Sequence, residues 1–441
     1  MTQRGVLLGS LDGYYLTGDA DTHLAIFGPT SSGKDVAHVI PSAHLWQESM
    51  LITDPKGGTT FNMTACYRGT ISNLVVFAPL DEVSTKINVL DMIRKGTTYA
   101  FRDAQAIAKS HCAPHQMVRE TPTSLHFREL AEVLLAAGFL YTVSTSTRPS
   151  PAGTLEFFTV QYDSLEKCLA ELIKSPHLAG EEQTLVSSMA REISQVKDRE
   201  LSGVWTTMMR GLHLYREPTV ARNTDTSDID LNALQYGARP ITMYLVAPSP
   251  EELQDYHPLY RVVVETLLRQ LTMHPVQTYQ HRLLILANEF PAYGYMPRIE
   301  SGAATLREYG IKLCLIAQDL EQFWNTYGKD TALWGNLQTK VFHTPANDLT
   351  AKRISENLLD TMTIEREVVS YQGWTKRRGT TSTQQHARQL MTTGEVMKMN
   401  PEELLLFVGG YPAFKAKQVR WYQDPVFKAQ VRPLGGSGNG S

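Results

Sequence analysis

LAIFGPTSSGK, residues 24–34, is the stretch that decides the fold of this chain. Leu24–Phe27 is a predicted buried strand, and a Gly-x-x-x-x-Gly-Lys loop follows at Gly28–Lys34. Glycines in such a loop let backbone N–H groups close around phosphate oxygens, the lysine adds a positive charge, and the next helix adds its dipole. A helix predicted for Asp35–Leu45, kinked at Pro41, completes the context. The pattern therefore predicts a phosphate-binding loop rather than an ordinary glycine-rich turn.

The loop predicts a site for ATP and Mg²⁺. The residues expected to contact the nucleotide are Gly28, Pro29, Thr30, Ser31, Ser32, Gly33, Lys34 and Asp35. The position after the lysine normally carries Ser or Thr, whose hydroxyl binds Mg²⁺, whereas this chain has Asp35. A carboxylate binds Mg²⁺ but also repels the phosphates, so we expect nucleotide binding with an altered metal site.

Composition narrows the class of protein. The chain has 441 residues, enough for two or three domains, and its 42% hydrophobic and 20% charged residues are typical of a soluble globular protein. The net charge of −3 argues against a binder driven by overall charge, although it leaves local basic patches open. We find no run of about 18 apolar residues, and four scattered cysteines indicate a reducing compartment.

Further buried strands are predicted on both sides of a helical block. The strands are Ser49–Thr53, Asn73–Phe77, Ile241–Val246, Leu283–Leu286, Lys312–Ala317 and Thr339–His343. The helices predicted by apolar spacing are Phe101–Ser110, Ser124–Val143, Thr154–Lys174, Glu182–Leu212, Pro258–Leu271 and Ile299–Tyr309. Strands that alternate with helices predict an α/β fold, with a parallel sheet covered by helices on both faces. The helices between about 88 and 232 predict an all-α insertion.

Polar residues after the late strands predict the second half of the site. A phosphate-binding loop usually works with an Asp-Glu pair, in which Asp holds Mg²⁺ and Glu polarises the attacking water. Here the pair is Asn288-Glu289, so Asn288 lies at the metal position and Glu289 is a candidate base or an ordinary acid at a strand end. Gln318 either contacts the γ-phosphate or caps its strand, and Arg307 is either an arginine finger or a solvated arginine.

Five collinear stretches resemble the cytosolic part of the TraG-like coupling proteins, which are ATPases of conjugative type IV secretion. The stretches are GPTSSGKDVAHVIPS (28–42), ITDPKGG (52–58), LLILANEFPAYGYMPRIESGAATLREYGIKLCLIAQDLEQF (283–323), TKVFHTPANDLTAKRISENL (339–358) and LMTTGEVMKMNPEELLLFVGGYPAFKAKQVRWYQDPVF (390–427). The resemblance implies a RecA-like motor domain at 1–94 and 233–434, interrupted by an all-α domain at 95–232. Residues 435–441 are expected to be a flexible linker or tag.

The resemblance also implies a function. Such proteins use ATP to pass single-stranded DNA, with its relaxase or secreted protein substrates, to the components of a type IV secretion channel. They act as homo-hexamers on the cytoplasmic side of the bacterial inner membrane. The resemblance also implies two N-terminal transmembrane helices, which we do not expect in this chain, either because it is truncated or because this member is soluble. We expect a homo-hexamer when the chain assembles, or a monomer in this soluble form.

Carried over residue by residue, the resemblance assigns the catalytic positions of the family to Glu289 and Gln318, and its proposed arginine finger to Arg307. Asn288 departs from the family's Asp, and Gly58 replaces an acidic residue of its Asp-x-Lys-Gly-Glu stretch. Asp35 often corresponds to Gly in the family. Because the metal site loses a charge at Asn288, we expect ATP binding to persist and ATP hydrolysis to be weakened.

A late loop is the best local candidate for DNA contacts. Trp374, Lys376, Arg377 and Arg378 combine charge with an aromatic ring, as backbone-tracking DNA sites do, although a solvated loop between strands has the same composition. Two other functions remain open. One is a catalytically degenerate nucleotide-binding scaffold or substrate receptor, and the other is a DNA-pumping ATPase of the FtsK/HerA type.

Overall fold

A computed structural model describes residues 5–18, 21–117, 120–161, 164–178, 180–371 and 379–434, with the backbone alone for 198–199, 364–371, 379–384 and 386. The strands are β1 (Val6–Leu11), β2 (Tyr14–Gly18), β3 (His23–Phe27), β4 (Ser49–Asp54), β5 (Asn73–Phe77), β6 (Ile241–Val246), β7 (Leu283–Ala287), β8 (Ile311–Ala317), β9 (Leu337–Phe342), β10 (Thr361–Tyr371), β11 (Gly379–Gln389), β12 (Glu403–Val408) and β13 (Phe414–Lys417).

The helices occupy every crossover between the parallel strands. They are α1 (Ile40–Leu45), α2 (Thr59–Ile71), α3 (Ala100–Cys112), α4 (Pro122–Thr145), α5 (Pro151–Glu156), α6 (Leu165–Lys174), α7 (Gly180–Ser194), α8 (Asp198–Leu212), α9 (Pro218–Asn223), α10 (Ala233–Tyr236), α11 (Pro250–Leu271), α12 (Pro297–Gly302), α13 (Leu320–Tyr327), α14 (Ala332–Asn336), α15 (Asp348–Arg353), α16 (Thr393–Met397) and α17 (Pro425–Gln430). None of them, within the described ranges, combines the length and apolar character that a membrane crossing requires.

Within the described residues, eleven strands form one sheet in the order β2-β1-β13-β12-β9-β3-β8-β7-β4-β6-β5. The strands from β9 to β5 run parallel, and the four at the other end pair antiparallel. Strands β10 and β11 form a separate hairpin. The predicted α/β fold with a parallel sheet and helices is confirmed, and β3, which carries the phosphate-binding loop, lies in the middle of the sheet.

The two faces of the sheet bury separate cores because side chains alternate along each strand. On β3, Ala25 and Phe27 point into one core, while Leu24 and Ile26 point into the other. Helices α3 to α9, all between β5 and β6, belong to the first core together with the sheet residues. Since this helical block shares its core with the sheet, the division at 95 and 232 stays a prediction.

The predicted helices were correct in position but wrong in several boundaries. The predicted helix 154–174 is divided into α5, a π-helical turn at Phe157–Gln161 and α6, where Ser164 caps the start. The predicted helix 182–212 is divided into α7 and α8 by a tight turn in which Val196 N–H donates to Ile193. The apolar spacing continues across such short turns, so periodicity does not reveal them.

Pro258 was expected in the first turn of a helix, and this expectation was wrong. Helix α11 begins eight residues earlier, where Ser249 accepts a hydrogen bond from the Glu252 N–H and Pro250 occupies the first turn. Pro258 has no backbone N–H, so it cannot donate the helical hydrogen bond to the Gln254 carbonyl. The His257 ring donates to that carbonyl instead, at 2.9 Å, so the helix tolerates an internal proline.

Candidate nucleotide-binding site

The phosphate-binding loop connects the end of β3 to a π-helical turn at Asp35–Val39, which continues as α1. Gly28 N–H donates to Ala317 at the end of β8, 3.2 Å away. A Cβ at Gly28 would lie 2.7 Å from Ser32 Oγ, and Gly33 has φ of +96°. Both glycines are therefore required by the path of the loop. The predicted helix is present but in two pieces.

The Lys34 side chain folds back into the loop. Its side chain is 5% exposed, and its ammonium donates to the carbonyls of Gly28 and Pro29. Glu289 Oε1 lies 4.0 Å from the Lys34 ammonium. Burial lowers the pKa of Lys34, while Glu289 and Asp35 oppose that shift. The ammonium thus lies where phosphate oxygens would replace the two carbonyls as acceptors.

Glu289 and Gln318 meet beside Lys34. Glu289 follows β7 with φ of +52°, a left-handed conformation that is strained for a residue other than glycine and is common at functional sites. Gln318 follows β8, and its amide donates to Glu289 Oε2 at 3.3 Å. Lys34, Glu289 and Gln318 therefore come from the ends of three neighbouring parallel strands, as expected for a site at the carboxyl edge of the sheet.

Asp35 and Asn288 form one polar network with Lys56. Asn288 is 1% exposed, and its side-chain amide donates to Asp35 Oδ1 at 2.9 Å. The other oxygen of Asp35 accepts from the Lys56 ammonium at 3.0 Å. Burial alone would lower the pKa of Lys56, but the Asp35 carboxylate reverses that effect and the net pKa is raised. The two residues predicted to hold the metal are thus in direct contact.

Asp54 ends β4 at the carboxyl edge of the sheet, and its Oδ2 accepts from Phe61 N–H at 2.9 Å near the start of α2. Another residue singled out from the sequence lies away from the loop. Arg307 is exposed and precedes β8, near His23 at the start of β3, which is the opposite edge of the sheet. The structure therefore does not bring Arg307 to the site of its own chain.

The predicted DNA residues Trp374, Lys376, Arg377 and Arg378 lie outside the described residues. Their proposed role stays a prediction.

A cavity of about 380 Å³ opens against the loop and contains residues that the sequence reasoning missed. Besides Pro29–Val36 and Glu289, it is lined by Lys56, Arg420 and Tyr422. Lys56 lies in the quoted ITDPKGG stretch, which was a usable signal. Arg420 and Tyr422 lie in the quoted stretch 390–427, but nothing in it placed them at the loop, because the antiparallel pairing of β13 with β12 and β1 brings them there.

Comparisons with known proteins find relatives over nearly the whole chain. The sequence pattern of the family described as "Type IV secretory system Conjugative DNA transfer" matches residues 2–435. The chain is 30% identical to the conjugal transfer protein TraG of Escherichia coli, over 98% of this chain and 73% of that protein. It is 26% identical to the protein VirD4 of Rhizobium radiobacter, over 94% of this chain and 59% of that protein.

Solved structures show the same fold. A trigonal crystal form of the bacterial conjugative coupling protein TrwBdeltaN70, in complex with sulphate, matches with a TM-score of 0.70 and 16% identity, over 95% of this chain and 91% of that one. TrwB in complex with ADP and Mg²⁺ matches with a TM-score of 0.68 and 16% identity, over 95% and 90% of the two chains.

These matches do not favour the degenerate scaffold or the FtsK/HerA-type pump. The family model and the TraG relative are both described by conjugative transfer, and both matches extend over the two halves of the sheet and the helices between them. The chain therefore belongs to the conjugative DNA transfer family of the type IV secretory system, the family of the TraG and VirD4 coupling proteins.

Proposed function

We propose that this chain binds ATP with Mg²⁺ and uses ATP hydrolysis to pass single-stranded DNA, with its relaxase or secreted protein substrates, to a type IV secretion channel. The observation that carries the proposal is the meeting of Lys34, Glu289 and Gln318 beside the loop. A cation, a carboxylate and an amide at one edge are the groups that phosphoryl transfer to water requires.

Each side chain has a chemical role in this proposal. Lys34 donates to the oxygens of the β- and γ-phosphates and balances the charge that develops on them. Glu289, held by Gln318 at 3.3 Å, accepts the proton of the attacking water, while the Gln318 amide orients that water against the γ-phosphate. The Glu289 backbone is left-handed, and its carboxylate Oε1 lies 4.0 Å from the Lys34 ammonium.

The side chains around Asp35 fit Mg²⁺. Asn288 Oδ1 is buried and has no hydrogen-bond partner among the described residues, and the Asp35 carboxylate lies beside the same amide. Carboxylate and amide oxygens are the hard ligands that Mg²⁺ prefers. When bound, the ion supplies charge neutralisation at the phosphate oxygens. Asp35 and Asn288 would hold it, with Lys56 balancing any excess charge on Asp35.

We also propose an assembly and a division of the chain into domains. The helices between 95 and 232 are taken as an all-α domain that faces the transported substrate. The position of Arg307 at the opposite edge of the sheet supports a role in a neighbouring subunit of a homo-hexamer. Trp374, Lys376, Arg377 and Arg378 are the proposed DNA contacts, and the ring is placed on the cytoplasmic side of the inner membrane.

ATP turnover with and without single-stranded DNA tests the function. We expect slow turnover that DNA stimulates, that Glu289→Gln abolishes and that Asn288→Asp increases. Glu251→Gln, an exposed glutamate at the start of α11, is the matched control. Turnover that is indifferent to both DNA and Glu289→Gln would overturn the proposal. Robust DNA-stimulated turnover that Asn288→Asp leaves unchanged would show that the missing carboxylate does not limit hydrolysis.

A further inference from the structure

The segment QVRWY at residues 418–422 is fastened to the phosphate-binding loop. It follows β13, and its Trp421 N–H donates to the Val36 carbonyl at 3.1 Å. The Gln418 amide donates to the Ser32 carbonyl at 3.2 Å. A Cβ at Gly33 would lie 2.9 Å from Gln418 Oε1, so the loop and the segment are in close contact. These contacts hold the segment in one position against the loop.

Arg420 and Tyr422 are the side chains that this segment presents to the cavity of about 380 Å³. Arg420 pairs with Glu402 at 2.9 Å and approaches the Tyr422 hydroxyl at 3.4 Å. The Nε of Arg420 is buried and has no hydrogen-bond partner among the described residues. The Tyr422 side chain is 40% exposed and stands perpendicular to Trp421. The segment thus offers a donor without an acceptor, together with an open aromatic ring.

We propose that residues 418–422 form the second wall of the nucleotide site, in which Arg420 donates to phosphate oxygens and Tyr422 stacks on the base. The inference rests on the proposed function, because it needs a nucleotide in the phosphate-binding loop. A cavity of this size lies in the range of about 300–1,000 Å³ that is usual for small ligands. Guanidinium groups match phosphate oxygens, and aromatic rings stack on any base. Tyr422 therefore contributes affinity for a nucleotide without selecting its base.

Isothermal titration with two probes separates the two roles. ATP reports both residues, whereas tripolyphosphate has no base and reports Arg420 alone. We expect Tyr422→Ala to weaken ATP binding by about 5- to 150-fold and to leave tripolyphosphate binding unchanged, and Tyr422→Phe to bind like the parent. Arg420→Ala should weaken both probes by about tenfold or more, because hydrogen bonds to charged groups are strong.

Matched controls come from the neighbouring hairpin. Tyr411→Ala removes an exposed tyrosine at the far end of β12 and β13, and Lys415→Ala breaks the Glu403 ion pair of 3.0 Å, which resembles that of Arg420 with Glu402. Both controls should bind the two probes like the parent. Thermal unfolding of every variant confirms that the fold is intact.

The outcomes distinguish this inference from the proposed function. If Lys34→Ala loses ATP binding while Tyr422→Ala and Arg420→Ala bind like the parent, the nucleotide site stands and the second wall is wrong. If Tyr422→Ala weakens ATP and tripolyphosphate equally, the ring has a structural role and stacking is refuted. If the parent chain binds neither probe, the proposed function fails and this inference fails with it.

Discussion

Replacing Asn288 with Asp would place two carboxylates in direct contact. The Asn288 amide donates to Asp35 Oδ1 at 2.9 Å, and Asn288→Asp converts this donor into an acceptor. Two unit charges about 3 Å apart repel by about 5–6 kcal/mol at an effective dielectric constant of about 20. Asp35 is also 3.0 Å from the Lys56 ammonium, which offsets part of that repulsion. The buried position of Asn288 leaves little water to screen the rest.

Protonation limits the destabilisation. Because one carboxyl of the pair can take up a proton, the free energy of unfolding at pH 7 falls by no more than about 4 kcal/mol, which is the free energy of protonating an ordinary Asp at that pH. We expect a loss of about 2–4 kcal/mol without metal. Unfolding entropy of about 2.1 cal/mol/K per residue over 441 residues converts this loss into a fall in Tm of about 2–4 °C.

Thermal unfolding in EDTA measures the repulsion between the two carboxylates, and thermal unfolding in Mg²⁺ measures its relief by the metal ion. Asn288→Asp should lower Tm in EDTA. The fall should be smaller at pH 5, because the proton shared by the two carboxyls is more readily bound there. Mg²⁺ should restore the Tm of the variant, because the ion binds the folded chain. The double variant Asp35→Ser with Asn288→Asp has one carboxylate again, so its Tm in EDTA should return to within about 1 °C of the parent. Asn62→Asp, an exposed position on α2, is the control for adding a carboxylate.

An Asn288→Asp variant that melts like the parent in EDTA would refute this reasoning. It would mean that Asp35 and position 288 are not in contact in solution. Equal loss of Tm in the single and double variants would refute it as well, because the loss would then come from position 288 alone and not from the pair.

Three further predictions concern other parts of the chain. Lys34→Ala should weaken ATP binding by about 10- to 150-fold in isothermal titration, since it removes a hydrogen bond from a charged donor to phosphate; unchanged affinity would exclude the loop as the phosphate site. Replacing Lys376, Arg377 and Arg378 together with Ala should flatten the log–log salt dependence of single-stranded DNA binding by about 1.4–2.1, and an unchanged slope would place the DNA contacts elsewhere. Burial raises the pKa of Glu265, 2% exposed on α11, to about 7 despite the nearby arginines, so its protonated form favours folding. That stabilisation is complete below about pH 4.5 and is lost as the pH rises through about 7. Glu265→Gln should remove this pH dependence from denaturant unfolding, and a slope equal to that of the parent would contradict it.

Part of the site could be predicted from short sequence patterns. The loop at 28–34 and the residues after β7 and β8 could be assigned because a parallel strand ends at one edge and its next residue lies there. The contact between Asp35 and Asn288 could not be predicted, since it depends on side-chain conformations across two loops. The same holds for Lys56, which pairs with Asp35 from the loop after β4.

The position of the second wall, residues 418–422, could not be predicted from short sequence patterns. Residues 414–417 show no strong strand pattern, yet they pair with β12 and with β1, and this pairing brings Arg420 to the loop. Such long-range antiparallel pairing depends on the whole fold rather than on propensity. Helix boundaries failed for a related reason. A proline usually marks the first turn of a helix, but α11 begins earlier, at the Ser249 cap. The His257 ring donates to the Gln254 carbonyl, so the helix tolerates Pro258 in its interior.

The position of β3 in the sheet has a consequence for how the chain is made. Its two neighbours are β8 and β9, which follow it by roughly 290 and 315 residues. Likewise, β1 pairs with β13, which lies near the other end of the chain. At about 5–20 residues per second, the ribosome needs roughly 15–60 seconds to deliver those partners. The loop is therefore synthesised long before the two strands that flank it. A chain that terminates before β8 lacks both of these strands, and we expect such a fragment not to form the nucleotide site.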